Sequence, residues 1–248
     1  MNSLARKLTV STLLAAVLGT AACVFNNNEP VGETVTESKT VQLEGAKSVQ
    51  VQIKMGAGEL KVEGGANDLM NADFTYNVPR WKPEVHYDAS GGTGQLTIQQ
   101  PEGSHGHGGR TRYEWDLRFS NQVPMEMTID QGAGSTNLNL ADLALSKLKV
   151  NMGAGETTIN LDGKWKNDLA ASIHGGVGQA TLKLPRDVGV HVVAHGGLGA
   201  INASGFSKQG DAYINDAYGK SPVTLHIEVE GGVGDGRKLG DSLTKSRR

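Results

Sequence analysis

Four polar residues recur at one position of a repeated pattern, and together they could bind a metal ion. His174 and His195 each stand four residues before the last glycine of a Gly-x-Gly cluster, and Asp130 and Asn151 hold the same position in the two preceding clusters. If these copies stack as neighbouring strands, the side chains form a ladder with steps of about 4.8 Å. Two imidazoles and a carboxylate can hold a divalent metal, so His174, His195 and Asp130 are candidate ligands. The alternative is an exposed column that merely tolerates polar residues.

A Gly/His-rich segment is a second place where a metal could bind. His105 and His107 stand in the stretch SHGHGG, which has the composition of a loop. Two imidazoles with one residue between them can share an ion, but a solvated loop without a ligand explains the same residues.

Cys23 is the only cysteine, which excludes an intramolecular disulfide and a thiolate metal site. It follows a segment in which Arg6 and Lys7 precede the uncharged, largely apolar stretch 8–22, the order typical of a secretory signal. Small residues directly before a cysteine are what lipoprotein signal peptidase accepts. We therefore predict a signal peptide over residues 1–22, lipidation of Cys23 and a polar tether over 23–34, on the outside of the cytoplasmic membrane. Cleavage without lipidation, leaving a soluble protein, is the alternative.

Charge and motifs exclude several functional classes. The formal net charge is −2 and no basic field is present, so nucleic acid is not an expected partner. The Gly-x-Gly clusters are followed by alternating apolar and polar residues instead of a helix, which argues against a dinucleotide loop, and no cofactor is expected. The acidic residues are scattered and no Gly-x-Ser-x-Gly elbow occurs. A non-catalytic protein is therefore predicted, with a glycan-active β-helix enzyme as a less favoured alternative.

The glycine clusters mark an internal repeat. Seven clusters share the form Gly-x-Gly, and their last glycines are Gly58, Gly94, Gly134, Gly155, Gly178, Gly199 and Gly234. Apolar residues alternate with polar ones before and after most clusters, which indicates half-buried strands on both sides of a glycine kink. Like positions align without reversal, which favours parallel stacking of equivalent units. We predict an all-β, right-handed parallel β-solenoid of about seven rungs, with a sandwich built from hairpins as the alternative.

Longer spacings between clusters divide the chain. An N-terminal part is predicted over residues 35–100, with an additional strand at 72–77, and a C-terminal solenoid over 121–236. Residues 101–120 are expected to form a connecting loop and a strand that contains Trp115. The basic residues 237–248 are expected to be a disordered tail.

Several stretches resemble the toast-rack family, which includes the C-terminal region of LiaF-like cell-wall-active-antibiotic response proteins. The clearest is HGGVGQATLKLPRDVGVHVVAHGGLGAINASGF at residues 174–206, and MGAGELKVEGG at 55–65 is similar. The resemblance covers roughly residues 35–236. It implies a β-helix-like fold and an association with bacterial envelopes, and it brings no catalytic residues.

Taken together, these features predict a binding or sensing module of the cell envelope. Its partner is expected to be an envelope protein, a glycan or a second copy of itself, with an envelope-stress response as one setting. A structural or self-associating surface protein is the alternative. Trp81, Trp115 and Trp165 could stack on sugars, but packing in the core or at the ends of the solenoid is the favoured use.

Overall fold

The computed structural model describes residues 31–103, 111–196, 201–231 and 237–241. These residues form fifteen β-strands and two short 3₁₀ turns at Pro79–Trp81 and Ser90–Gly92. The strands are β1 (Val35–Val41), β2 (Ser48–Gly64), β3 (Met70–Tyr76), β4 (Glu84–Asp88), β5 (Thr93–Gln99), β6 (Tyr113–Phe119), β7 (Met125–Asn139), β8 (Leu145–Asn160), β9 (Leu169–Leu184), β10 (Gly189–Gly196), β11 (Ile201–Ser204), β12 (Ser207–Gln209), β13 (Ala212–Ile214), β14 (Thr224–Gly231) and β15 (Arg237–Asp241). The all-β prediction is confirmed.

Four long strands, β2, β7, β8 and β9, form the centre of the sheet. They pair in parallel and in register, so that Gly58, Gly134, Gly155 and Gly178 lie side by side. Only residues 140–144 connect the end of β7 to the start of β8. Because the two strands are parallel neighbours, the chain must fold back within each repeat to reach its own starting level. The predicted parallel stacking of equivalent units is therefore confirmed for these strands.

Each long strand bends at its glycine cluster. In β2, the buried side chains before the bend are at odd positions, such as Val51 and Ile53, and after it at even positions, such as Leu60 and Val62. The change of parity keeps the apolar face of both halves on the inside while the strand changes direction. The bends need glycine, because a Cβ at Gly134 would overlap the carbonyl oxygen of Gly58 in the next strand.

A buried glutamine supports the bend of β2 and β7 from inside. Gln131 is 3% exposed, and its Nε2 donates hydrogen bonds to the carbonyl oxygens of Gly58 at 3.0 Å and Ala133 at 3.3 Å. The Thr136 hydroxyl donates to the Gln131 Oε1. These bonds satisfy backbone carbonyls that the tight turn removes from water.

The bend divides the sheet into two halves with different outer strands. The first half has the order β4-β5-β2-β7-β8-β9-β14-β10-β13-β12. The second half has the order β1-β3-β6-β2-β7-β8-β9-β15-β11. The predicted extra strand near 72–77 and the predicted strand around Trp115 are confirmed as β3 and β6.

The second glycine cluster does not form an equivalent rung. Gly94 lies in β5 opposite Val49, far from the bend of β2, and β4 and β5 pair antiparallel as a hairpin. The 3₁₀ turn at Ser90–Gly92, with Gly91 at φ +70° and Gly92 at φ +81°, reverses the chain there. The expectation that residues 92–94 form a stacked bend is therefore wrong. A short run of glycines permits a chain reversal as well as a bend, so the Gly-x-Gly pattern does not distinguish the two. The clusters at 197–199 and 232–234 lie outside the described residues.

The last strands of the chain enter the stack instead of extending it. β14 pairs with β9 on one side and β10 on the other, and β15 lies between β9 and β11 in the same way. The expectation of a disordered tail is therefore wrong for residues 237–241, whose backbone pairs along both edges; residues 242–248 lie outside the described part.

Asn215 holds the turn that makes room for these inserted strands. It is 7% exposed, and its side chain accepts a hydrogen bond from the Val190 amide at 3.0 Å. Its Nδ2 donates to the carbonyl oxygens of Pro185 at 3.1 Å and Val188 at 2.7 Å. The connection from β9 to β10 must step across one strand position, and Asn215 fixes it in that conformation.

The core runs along the inside of both halves and ends in an aromatic cluster. Trp115 packs edge-to-face on Phe74 and Tyr113, with ring centroids 5.6 Å apart in both pairs, and Trp81 contacts Tyr113 in the same way. Trp81 and Trp115 are buried. These two tryptophans therefore serve the core, as predicted.

Candidate functional site

The predicted polar ladder exists on the outward face of the first half of the sheet. Asp130, Asn151 and His174 occupy neighbouring positions on β7, β8 and β9, and Lys54 precedes them on β2. The Asn151 Nδ2 donates a hydrogen bond to the Asp130 Oδ1. Each of these residues follows an apolar residue that points into the core, so its own side chain points outward. The in-register parallel pairing then aligns the four side chains in one row.

The ladder continues differently from the prediction. His174 lies opposite Glu230 on β14, and Glu230 lies opposite His195 on β10. The expectation that His174 and His195 are direct neighbours is therefore wrong, because β14 is inserted between their strands. Asp130 lies two strands from His174, so the carboxylate beside both histidines is Glu230 instead.

His174 is held by two polar contacts. Its Nδ1 lies 2.9 Å from the Glu230 Oε2, and its Nε2 lies 2.8 Å from the Ser172 hydroxyl. The His174 and Glu230 side chains are 38% and 50% exposed. The imidazole is thus oriented at both nitrogens while remaining accessible to solvent.

An open groove runs beside the ladder. It has a volume of about 720 Å³, and its polar side chains come from Lys54, Gln100, Asp130, Asn151 and His174. Its floor is the backbone of the bends at Gly56, Gly132, Gly153 and Gly176. The Gln100 Oε1 accepts a hydrogen bond from the Gly56 amide at 2.7 Å. We call this surface the ladder groove.

A second outward surface is rich in histidine. His191 and His195 of β10 lie beside His226, Glu228 and Glu230 of β14, and His174 of β9 completes the set. The His191 ring lies 5.9 Å from the His226 ring and 5.2 Å from the Tyr218 ring, measured between centroids. A shallow cavity of about 500 Å³ covers part of this area. We call these six residues the histidine face.

The positions of the histidines in the sequence indicate part of the histidine face, although the repeat pattern does not include all of them. Four of the seven histidines stand at polar positions of alternating strands. Their grouping depends on the pairing of β14 with both β9 and β10, which the order of the chain does not reveal.

The described residues contain no group of three or more histidine, cysteine, aspartate or glutamate side chains arranged to hold an ion. The predicted set His174, His195 and Asp130 is not brought together, since Asp130 lies two strands from His174. The second metal candidate, His105 and His107, and the predicted lipidation site Cys23 lie outside the described residues.

Carboxylates also gather on the outward face of the second half, but they are bound to cations. Asp116 accepts from the Lys61 Nζ at 3.2 Å and lies 3.4 Å from Arg118, which also binds Glu63 at 3.1 Å. The hydrogen bond from Lys61 holds the pKa of Glu63 below its usual range, and Arg118 adds to the effect. A general acid of a glycosidase needs a raised carboxyl pKa, so Glu63 is unsuited to that role.

The third tryptophan is used in a turn. The indole N–H of Trp165 donates to the Leu161 carbonyl oxygen at 2.8 Å, and the ring packs on the core.

Within the part of the chain that the structure describes, no helix is long and apolar enough to cross a membrane.

Comparison with known proteins shows which family model and which solved structures the chain resembles. The family model described as "N-terminal domain of toast_rack, DUF2154" matches residues 30–183. A solved structure of a "putative cell adhesion protein" from Clostridium sporogenes is 33% identical, with 85% of this chain and 100% of that chain covered at a TM-score of 0.81. No functionally curated protein matches the chain.

Two more distant solved structures also align. A "putative adhesin" from Bacteroides fragilis is 12% identical, with 85% of this chain and 99% of that chain covered at a TM-score of 0.34. A "Putative lipid binding protein" from Parabacteroides distasonis is 12% identical, with 84% and 98% covered at a TM-score of 0.31.

Proposed function

The chain belongs to the toast-rack family, and from that premise we propose that it is a non-catalytic binding module displayed on the outside of the cytoplasmic membrane. The ladder groove is its contact surface. The observation that carries this proposal is the in-register row of Lys54, Asp130, Asn151 and His174 beside an open groove of about 720 Å³.

The construction of the groove suits binding. Four of its five polar side chains, all except Gln100, stand on the paired strands β2, β7, β8 and β9, whose backbone is fixed by the core beneath them. A surface that is already ordered loses little conformational entropy when a partner docks. Carboxylate, amide, ammonium and imidazole groups offer both donors and acceptors to a polar partner. The name of the Clostridium relative, a "putative cell adhesion protein", supports a surface interaction of this kind.

The alternatives fit less well. Edge-to-edge self-association needs long, flat outer strands without charges. Of the outer strands, β12 has three residues and β11 has four, while β4 carries charges at Glu84 and Asp88 and β1 carries charges at Glu37 and Lys39. A glycan-active enzyme needs a carboxylic acid with a raised pKa, whereas hydrogen bonds hold the pKa values of the Glu37, Glu63 and Asp88 carboxyl groups below their usual range.

The anchor is part of the proposal. We propose that residues 1–22 are removed, that Cys23 carries a lipid and that residues 23–34 form the tether. We also propose that the strands that follow the tether coil in the right-handed sense. A diacylglycerol holds a protein firmly, since each buried CH₂ contributes roughly 0.8 kcal/mol. The likeness to LiaF-like proteins makes the envelope-stress response the first setting in which to look for a partner.

Replacing Cys23 with alanine is expected to abolish attachment of the lipid. When cells that express the full chain are labelled with an alkyne fatty acid, the parent protein should take up the label and the Cys23→Ala protein should not. A Cys23→Ala protein that still takes up label would contradict lipidation at this residue.

A charge introduced into the ladder groove is expected to abolish partner binding. Asn151→Arg places a cation in the groove, and capture of envelope components by the full-length, anchored protein should fall by at least about tenfold. Capture is measured after cross-linking on intact cells, by mass spectrometry of the proteins and by sugar analysis of the bound glycans.

A matched control lies on the same strand. Asn160 is also a half-buried, outward-facing asparagine, and it donates to Asn139 at 2.8 Å, but it lies on the second half of the sheet. Asn160→Arg should leave capture unchanged. Loss with Asn160→Arg and retention with Asn151→Arg would move the contact surface to the other half of the sheet.

A further inference from the structure

We propose that His174, Glu230 and His195 form a binding site for a divalent transition-metal ion of the Zn²⁺ class. The three residues face outward at the same level of β9, β14 and β10, three strands that are direct neighbours in the sheet. The carboxylate stands in the middle, with one imidazole on each side. This site differs from the set expected from the sequence, since Glu230 takes the place of Asp130.

The first two ligands already have a suitable separation. The His174 Nδ1 and the Glu230 Oε2 are 2.9 Å apart. Two ligand atoms that each lie about 2.0–2.1 Å from a tetrahedral Zn²⁺ are about 3.3 Å apart, and in a right-angled arrangement they are about 2.9 Å apart. An ion can therefore replace the proton that these two atoms share, with a movement of a few tenths of an ångström.

Ser172 provides the support that a metal-bound imidazole needs. Its hydroxyl lies 2.8 Å from the His174 Nε2. When Nδ1 binds the metal, it gives its proton to solvent and Nε2 takes one up, so that the neutral imidazole becomes the other tautomer and its Nε2–H donates to the Ser172 oxygen. Such a contact fixes the tautomer and the ring orientation of a ligand.

His195 is the ligand that must move. Its side chain is exposed, and it stands next to Glu230 across one strand spacing of about 4.8 Å. Rotation of an exposed side chain between staggered rotamers meets little resistance, and it brings a second imidazole to the ion. Water completes the coordination.

The chemistry of the ligands selects the class of ion. Two imidazoles and one carboxylate suit Zn²⁺, Ni²⁺ or Cu²⁺, whereas Ca²⁺ and Mg²⁺ prefer oxygen ligands. Glu228, two residues before Glu230 on β14, adds negative charge to the same face. The cation Lys149 of β8 lies opposite Ser172, two residues before the Asn151–His174 pair. The site stands independently of the proposed function, because it requires no partner in the ladder groove.

The test measures Zn²⁺ and Ni²⁺ binding by isothermal titration calorimetry with the full chain. All proteins carry His105→Gln and His107→Gln, which removes the histidine pair of the Gly/His-rich segment. His174→Gln, His195→Gln and Glu230→Gln are each expected to weaken Zn²⁺ binding by about tenfold or more. His86→Gln, a histidine on β4 at the opposite end of the stack, should change it by less than about twofold.

Folding and outcome are checked on the same samples. Circular dichroism should show the same strand content in all variants, and Zn²⁺ should raise the melting temperature of the parent but not of His174→Gln. Absence of Zn²⁺ binding in the parent would overturn the proposal. The proposal would also be overturned if Zn²⁺ binding survived in both the His195→Gln and the Glu230→Gln protein, or if the single replacement His226→Gln abolished it.

Discussion

Replacing Gly155 with alanine is expected to destabilise the protein by more than about 3 kcal/mol, enough to unfold a marginally stable domain. Gly155 has φ +136°, and a Cβ there would overlap the carbonyl oxygen of Gly134 on the neighbouring strand. The obstacle is backbone, which is fixed by strand pairing on both sides and cannot move aside. Urea unfolding followed by tryptophan fluorescence and circular dichroism measures the loss.

Gly219→Ala separates the two causes of that loss. Gly219 also has a positive φ, +74°, but no atom lies within 4 Å of the position that a Cβ would take. Only the strain of the left-handed conformation remains, which is about 1–2 kcal/mol for a non-glycine residue. If the two variants lost equal stability, close approach of the stacked backbones would not be the reason for glycine at the bends.

Replacing Asn215 with leucine is expected to have the second largest effect. The change leaves the Val190 amide and the carbonyl oxygens of Pro185 and Val188 without their partner, in a region where Asn215 itself is 7% exposed. Each buried polar group left unpaired costs about 1–3 kcal/mol, so a loss of about 3 kcal/mol or more is expected in the free energy of urea unfolding.

Two further variants show whether the hydrogen bonds of Asn215 are responsible. Asn215→Asp keeps the acceptor for Val190 but turns the donor to Pro185 and Val188 into a second acceptor, so it should be nearly as unstable as Asn215→Leu. Asn160→Leu removes a half-buried asparagine of β8 that makes one side-chain hydrogen bond, to Asn139, and should cost less than about 1 kcal/mol. An Asn215→Asp protein as stable as the parent would show that the turn does not depend on the donated bonds.

Repeat analysis predicted the parts of the fold that depend on neighbours in sequence. The bends of β7, β8 and β9 are only 21 and 23 residues apart, at Gly134, Gly155 and Gly178. At such spacing the chain has little choice but to place each copy beside the previous one, and the apolar alternation then fixes which side faces the core. The row Asp130, Asn151, His174 follows from that register and was predictable.

The same reasoning failed where the chain had a choice of partners. Gly94 shares the Gly-x-Gly form but lies in a hairpin, because Gly91 and Gly92 permit a reversal that the pattern does not distinguish from a bend. Residues 237–241 are basic and short, yet they pair as β15 because an open position exists between β9 and β11.

The sequence by itself determined the all-β class, the parallel stacking of the central strands, the glycine bends of those strands and the polar row Asp130, Asn151 and His174, since all of these rest on local periodicity. The tertiary structure decided the strand order at the C-terminal end. β10 follows β9 in the chain at the spacing of a normal repeat, but β14 lies between them and Asn215 holds the turn that makes this possible. Any of these strands offers the same backbone hydrogen bonds and a similar apolar row, so periodicity cannot rank the pairings, and only packing of the whole chain placed Glu230 between His174 and His195.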